Sequence, residues 1–239
     1  MRSSKELAQC CLLLLIALEL SGQSRSVATI GDSFADSLYN SLHSRPDLIE
    51  RSNIKLMRWS RPIVGLTRTD VFDYTGWLRD TKDLGFADVC LVEIGSNDMQ
   101  SIRVAGQWVA YGSPQWREAY GARTREMAQI LVGRRCGEVL WVLQPGFEKR
   151  DALACHRELI NEVQRDVVRL LVRTGVLEVV TNEGVYGQDK THFNRAFLLQ
   201  LGPALFQIVD ATRQIVPARC SACHGNWEAS RMASLAACV

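Results

Sequence analysis

"SVATIGDSFADSLYNSLHS", residues 26–44, is the stretch whose reading decides the fold. Val27–Ile30 is an apolar run of the kind a strand covered on both faces requires. Gly31, Asp32 and Ser33 break that run, and Phe34, Leu38 and Leu42 then recur at helical spacing. A strand, a sharp turn and a helix therefore follow one another without a linker. The turn holds an acid and a hydroxyl, and a second hydroxyl, Ser37, lies one helical turn further on. Either Ser could serve the new helix as a local hydrogen-bonding group or face a ligand.

The same alternation continues along the chain. Strand-like apolar runs lie in "IKLMRWS" (54–60), "ADVCLVEIGSND" (87–98), "EVLWVLQP" (138–145) and "VLEVVTNEG" (176–184). Helical patterns follow over 33–44, 68–84, 114–134, 152–175 and 194–214, with Gly175 read as a helix stop and a loop before Pro114. Alternating strands and helices predict the α/β class, here a three-layer α/β/α sandwich around a five-stranded parallel sheet with right-handed crossovers. Ligands in such sheets bind outside the carboxyl ends of the strands. "GDS", "RPIVG", "GSND" and the segment after "VVTNEG" all fall on that edge.

The chain has 239 residues, is 47% hydrophobic and 23% charged, and carries a formal charge of +2. This suits one folded domain, and no basic cluster interleaved with aromatics suggests a nucleic-acid partner. The N-terminus differs in pattern. Arg2 and Lys5 precede the apolar run Cys10–Leu18, and small polar residues follow. That is the order of a secretory signal peptide over residues 1–24, with a buried first helix as the alternative. The domain is then expected over 25–214 and a Cys-rich tail over 215–239. Outside Cys10 and Cys11, six of the eight cysteines remain, and six allow 15 pairings. Cys90, inside an apolar run, is expected to be free and buried. "CSACH" (220–224) has the spacing of a haem attachment site, and Cys220, Cys223, His224 and Cys238 could form a zinc set. A disulfide-stapled or partly flexible tail is the reading preferred here, so no cofactor and no metal are expected.

A serine nucleophile needs a base, an acid that orients the base, and donors for an oxyanion. Of four His, His43 lies near the end of the first helix, His156 within a helix expected to lie away from the strand ends, and His224 in the tail. His192 follows the last strand, with Asp189 three residues before it. Asn97 offers a side-chain amide, and Gly65 and Ser33 offer backbone N–H groups, the latter at a helix start.

"GDS" at 31–33, Gly65, "GSND" at 95–98 and "DKTH" at 189–192 together resemble the four blocks of the SGNH (GDSL-type) hydrolases, in family order. The resemblance spans about residues 27–212. "GLTRTDVFDY", "WVLQPGFEKR" and "LINEVQ" are more specifically similar to a bacterial envelope branch often labelled a domain of unknown function, related to the SGNH domains of polysaccharide and peptidoglycan O-acetylation systems. The resemblance implies a flavodoxin-like sheet. It makes Ser33 the nucleophile, His192 the base and Asp189 its orienting acid. The Ser33 N–H, the Gly65 N–H and the Asn97 amide become the oxyanion hole, and Ser37 becomes structural. Phe34 stands where the family has Leu, which should alter packing more than chemistry. The implied activity is that of a secreted or periplasmic serine esterase. It would hydrolyse or transfer acyl groups, with O-acetyl groups of carbohydrates as the preferred substrate and envelope O-acetylation machinery as a partner. The rival expectation is a non-catalytic scaffold of the same fold in such a system.

Overall fold

The computed structural model describes residues 24–144, 152–178 and 193–215. The sheet strands are β1 (Arg25–Gly31), β2 (Ile54–Ser60), β3 (Ala87–Glu93), β4 (Cys136–Leu143) and β5 (Thr174–Glu178). All four pairings are parallel, and the spatial order is β2-β1-β3-β4-β5. That is the flavodoxin-like order, with its topological switch between β1 and β3. The helices are α1 (Ser33–His43), α2 (Pro46–Arg51), α3 (Tyr74–Asp80), α4 (Pro114–Ile130), α5 (Ala152–Val168) and α6 (Arg195–Ile215).

The two faces of the sheet are told apart by the period of two along each strand. Val27, Val89, Leu91, Leu140 and Val142 join Phe34, Leu38 and Leu42 of α1 and Phe197, Leu201 and Leu205 of α6 in one core. Ala28, Ile30, Cys90, Val92, Val139 and Trp141 join Tyr74, Trp116, Tyr120 and Ile160 in the other. The predicted sandwich and its five strands therefore hold.

Three expectations are corrected. Helix α5 ends at Val168, and Gly175 lies inside β5 rather than stopping a helix. The stretch before Pro114 is not plain loop. Ile102–Val104 and Gln107–Val109 form an antiparallel hairpin, and its two turn residues, Ala105 and Gly106, both have positive φ. The helical pattern over 114–134 holds, with α4 running to Ile130 and Leu131–Arg135 widening into a π-turn that feeds β4 directly. Cys90 is not free. It forms a disulfide with Cys136, and both residues are fully buried. The bond closes a loop with a sequence separation of 46. Loop-closure entropy then makes it worth about 4 kcal/mol by the chain-entropy estimate. The variant with Ala at both positions should lose about 2–4 kcal/mol in urea unfolding. If reductant destabilises the wild type and this variant equally, the bond contributes nothing.

Candidate active site

The turn after β1 is fixed by one buried carboxyl. Asp32 caps α1, with Oδ1 accepting from the Phe34 N–H at 2.9 Å. Its Oδ2 accepts from the Gly95 N–H at 3.1 Å, the Ser96 N–H at 3.0 Å and the Ser96 hydroxyl at 2.6 Å. The acid of "GDS" thus ties the end of β1 to the "GSND" turn after β3. Burial pushes its carboxyl above the ordinary range, opposed first by the Ser96 hydroxyl and then by the backbone donors. Gly31 lets the two ends approach. Its φ is 138°, and a Cβ there would stand 1.6 Å from the Glu93 carbonyl oxygen. Tyr74 joins the ends of β1 and β2 by accepting from the Gly31 N–H at 2.9 Å and donating to the Trp59 carbonyl at 2.6 Å.

Ser33 opens α1 as its first residue and is half-buried. Ser37 donates to the Ser33 carbonyl at 3.2 Å, a local helical bond that supports the structural reading of Ser37. Asn97 donates from Nδ2 to the Val64 carbonyl at 2.9 Å, which draws the loop before Gly65 against the "GSND" turn. Ser33, Gly65 and Asn97 therefore gather at the switch point through the links Asp32–Ser96 and Asn97–Val64. Asp189 and His192 lie outside the described residues, as do the 1–24 signal stretch up to Gln23 and the "CSACH" tail. The residue after His192, Phe193, packs edge-on against Phe34 with ring centroids 4.8 Å apart. Phe34 is buried, which fits its expected packing role.

Several residues of the site were not singled out in the sequence. Asp98 is fully buried and accepts from the Thr67 N–H at 2.8 Å, the Thr67 hydroxyl at 2.9 Å and the Tyr120 hydroxyl at 3.0 Å. A Cβ on Gly65 would meet its Oδ1 at 2.2 Å, so no other residue fits there while Asp98 stays in place. Arg123 of α4 donates to the carbonyls of Leu66 at 2.5 Å and Thr67 at 3.0 Å. The loop thus has its N–H groups held by an acid and its carbonyls held by a guanidinium. Asp73 caps α3 by accepting from the Gly76 N–H at 2.9 Å. Arg68 and Asp70 form an exposed ion pair. A cavity of about 190 Å³ lies between Gly65, Tyr74 and Arg123, but neither Ser33 nor Asn97 lines it. Exposed His156 lies in the second turn of α5, the helix that follows β4, and its ring is 5.0 Å from that of Tyr111. It is therefore on the carboxyl-end side of the sheet, not away from it. His43, stacked on Tyr39 at the end of α1, is the distant one.

Glu93, the last residue of β3, is also buried, and among the described residues neither carboxyl oxygen meets a hydrogen-bond partner at good geometry. Burial raises its pKa well above the usual range, and the charge of Asp32 raises it further. Asp32 accepts four donors, so the proton resides on Glu93. A carboxyl with a raised folded pKa contributes most below its unfolded value, near 4.5, and loses that contribution as pH climbs through the folded value. Glu93→Gln should therefore gain on the wild type as pH rises, by about 1.4 kcal/mol for each pH unit over which the acid would ionise. Urea unfolding at pH 5 and pH 8 checks this; a stability difference that is the same at both values would refute it.

The family model described as "Protein of unknown function (DUF459)" matches residues 26–197. No curated protein matches the chain. Among solved structures, a carbohydrate esterase family 2 enzyme with a carbohydrate-binding domain from Corynascus thermopiles (Myceliophthora fergusii) is 14% identical. The match covers 80% of this chain and 67% of that one, with a TM-score of 0.59. An acetylxylan esterase from Geobacillus stearothermophilus is 14% identical over 78% of this chain and 94% of its own, with a TM-score of 0.55. An active-site mutant of a family two carbohydrate esterase from Clostridium thermocellum, solved with a cello-oligosaccharide, is 13% identical over 80% and 65%, with a TM-score of 0.56. Likeness at this identity is a likeness of fold.

Proposed function

The chain belongs to that family of unknown function, and we propose that it is an SGNH-type serine esterase acting on acyl esters, with O-acetyl groups on carbohydrates as the substrate class. The observation that carries the proposal is the wiring of Asp32. One carboxyl caps the helix that begins at Ser33 and holds the turn that presents Asn97. A helix cap alone would need only the Phe34 N–H.

In the proposed reaction, the Ser33 hydroxyl attacks the ester carbonyl while His192 takes its proton and Asp189 orients the imidazole. The oxyanion forms against the N–H groups of Ser33 and Gly65 and the Asn97 amide. Collapse breaks the ester C–O bond, His192 returns the proton to the departing sugar oxygen, and an acyl-serine remains. Water then attacks the acyl carbon with His192 again as base, releasing the acid and regenerating Ser33. If a sugar hydroxyl enters instead of water, the same steps transfer the acyl group. That would suit an acyltransferase working with envelope O-acetylation machinery. The contact between Phe34 and Phe193, the residues that follow the proposed nucleophile and the proposed base in the chain, supports pairing those two in one site.

The buried Cys90–Cys136 bond supports a secreted or periplasmic site, where disulfides persist. On this reading residues 1–24 are a signal peptide, 25–214 the catalytic domain and 215–239 a tail outside the chemistry. A fluorophosphonate probe should label Ser33, and acetate release should be detected on a panel of acetylated saccharides. A folded protein that takes no label and releases no acetate would be the non-catalytic scaffold instead.

A further inference from the structure

The hairpin between β3 and α4 takes no part in the chemistry above. Its register sets Arg103 directly opposite Trp108. Trp108 is 58% exposed, an unfavourable place for an indole with nothing to bind. The ring is nevertheless held. The Arg68 guanidinium stands 5.9 Å from its centroid, and that guanidinium is forked onto Asp70 by two bonds of 2.8 Å. The hairpin is also locked to the candidate oxyanion loop. Arg123 donates to the Arg103 carbonyl at 2.8 Å with the same guanidinium that holds the carbonyls of Leu66 and Thr67. Trp108 thus sits at a fixed offset from Gly65. On the Gly65 loop itself, Ile63 is 85% exposed with φ 69°, a strained conformation for a β-branched residue.

We propose that Trp108, with the Arg68–Asp70 pair beside it, is a stacking platform for the sugar chain of an O-acetylated carbohydrate; this rests on the esterase reading and adds where the glycan lies. A pyranose has an apolar C–H face and a rim of hydroxyls. An indole offers the apolar partner at little entropic cost when already immobilised. The forked ion pair leaves the second guanidinium terminus of Arg68 and further lone pairs on Asp70 available to hydroxyls. An exposed indole with Arg68 against its ring, Asp70 paired to that Arg68 and Arg103 opposite it across the hairpin pairs an apolar face with hydroxyl-binding groups, the combination a sugar presents in reverse.

The test compares kcat/KM on an O-acetylated xylohexaose with kcat/KM on 4-nitrophenyl acetate. Trp108→Ala should lower the ratio of the two by tenfold to a hundredfold, mainly through KM on the hexasaccharide, and Trp108→Phe should recover part of it. Leu170→Ala, at an apolar position even more exposed than Trp108 and on the turn leading into β5, should leave the ratio where it was. Calorimetry with the same hexasaccharide in a Ser33→Ala background should show about tenfold weaker binding once Trp108 is also Ala. Equal affinity with and without Trp108, no binding by the Ser33→Ala protein, or an unchanged ratio would overturn the platform. Absence of turnover on every ester would instead overturn the esterase reading, while the binding titration would still decide the platform.

Discussion

Ser33→Ala is expected to abolish ester hydrolysis, with kcat on a small aryl acetate falling by on the order of 10⁴-fold or more. The size of the effect follows from the absence, among the described residues, of a second free hydroxyl on the two turns that could replace it. Ser37 is spent on the Ser33 carbonyl, and Ser96 gives its hydroxyl to Asp32. Among the described residues, no hydrogen bond engages the Ser33 side chain, so its removal should cost little stability. Helix α1 keeps its cap because the Phe34 N–H is held by Asp32, not by Ser33. Urea unfolding of the variant should therefore lie within about 0.5 kcal/mol of wild type, and fluorophosphonate labelling should vanish. Ser37→Ala should change neither rate nor label, and His43→Gln should be equally silent, since that ring stacks on Tyr39 at the far end of α1. Retention of activity in Ser33→Ala to within a few-fold, with contaminating esterases excluded, would remove the nucleophile from this assignment.

What could be read in the sequence, and what could not, divides along physical lines. The strand runs are local signals, because a strand covered on both faces must be apolar at nearly every position, and β1 is buried continuously from Val27 to Gly31. "GDS" and "GSND" were legible because small and polar residues interrupt such runs only where the chain must turn. The hairpin was not, since each of its strands is three residues long and shorter than any period can reveal. The Cys90–Cys136 bond was not either: an apolar run reads the same whether its cysteine is paired or free. Asp98, Glu93 and Arg123 were passed over for a related reason. A charged residue looks solvated until packing encloses it, and the enclosing groups, such as Tyr120 for Asp98, come from elements distant in sequence. Gly65 was named for its open backbone. The closer constraint on it is the Asp98 carboxylate, which occupies the space a Cβ would need.

Asn97→Ala is expected to lower kcat by roughly two to three orders of magnitude, the usual loss of one oxyanion donor, while KM moves by a few-fold at most. The amide has two N–H bonds. One is committed to the Val64 carbonyl at 2.9 Å, and that bond fixes the plane of the amide, leaving the other N–H for charge that develops on the substrate. The substitution also removes the tether to Val64, so a loss of rate could in principle come from a displaced Gly65 loop. The structure separates the two causes. Asp98 still holds the Thr67 N–H and hydroxyl, and Arg123 still holds the carbonyls of Leu66 and Thr67. Loss of one neutral hydrogen bond is worth about 1 kcal/mol of stability, whereas loss of an oxyanion donor is worth about 3–4 kcal/mol of barrier. A variant with a small stability deficit and a large kcat deficit fits the second cause only. Arg123→Ala supplies the contrast, because it releases the loop and leaves the Asn97 amide in place. It should raise KM and lower kcat together. Should Asn97→Ala bind substrate poorly yet turn it over at the normal rate, the amide recognises the ground state, and the oxyanion must rest on the backbone N–H groups of Ser33 and Gly65 alone.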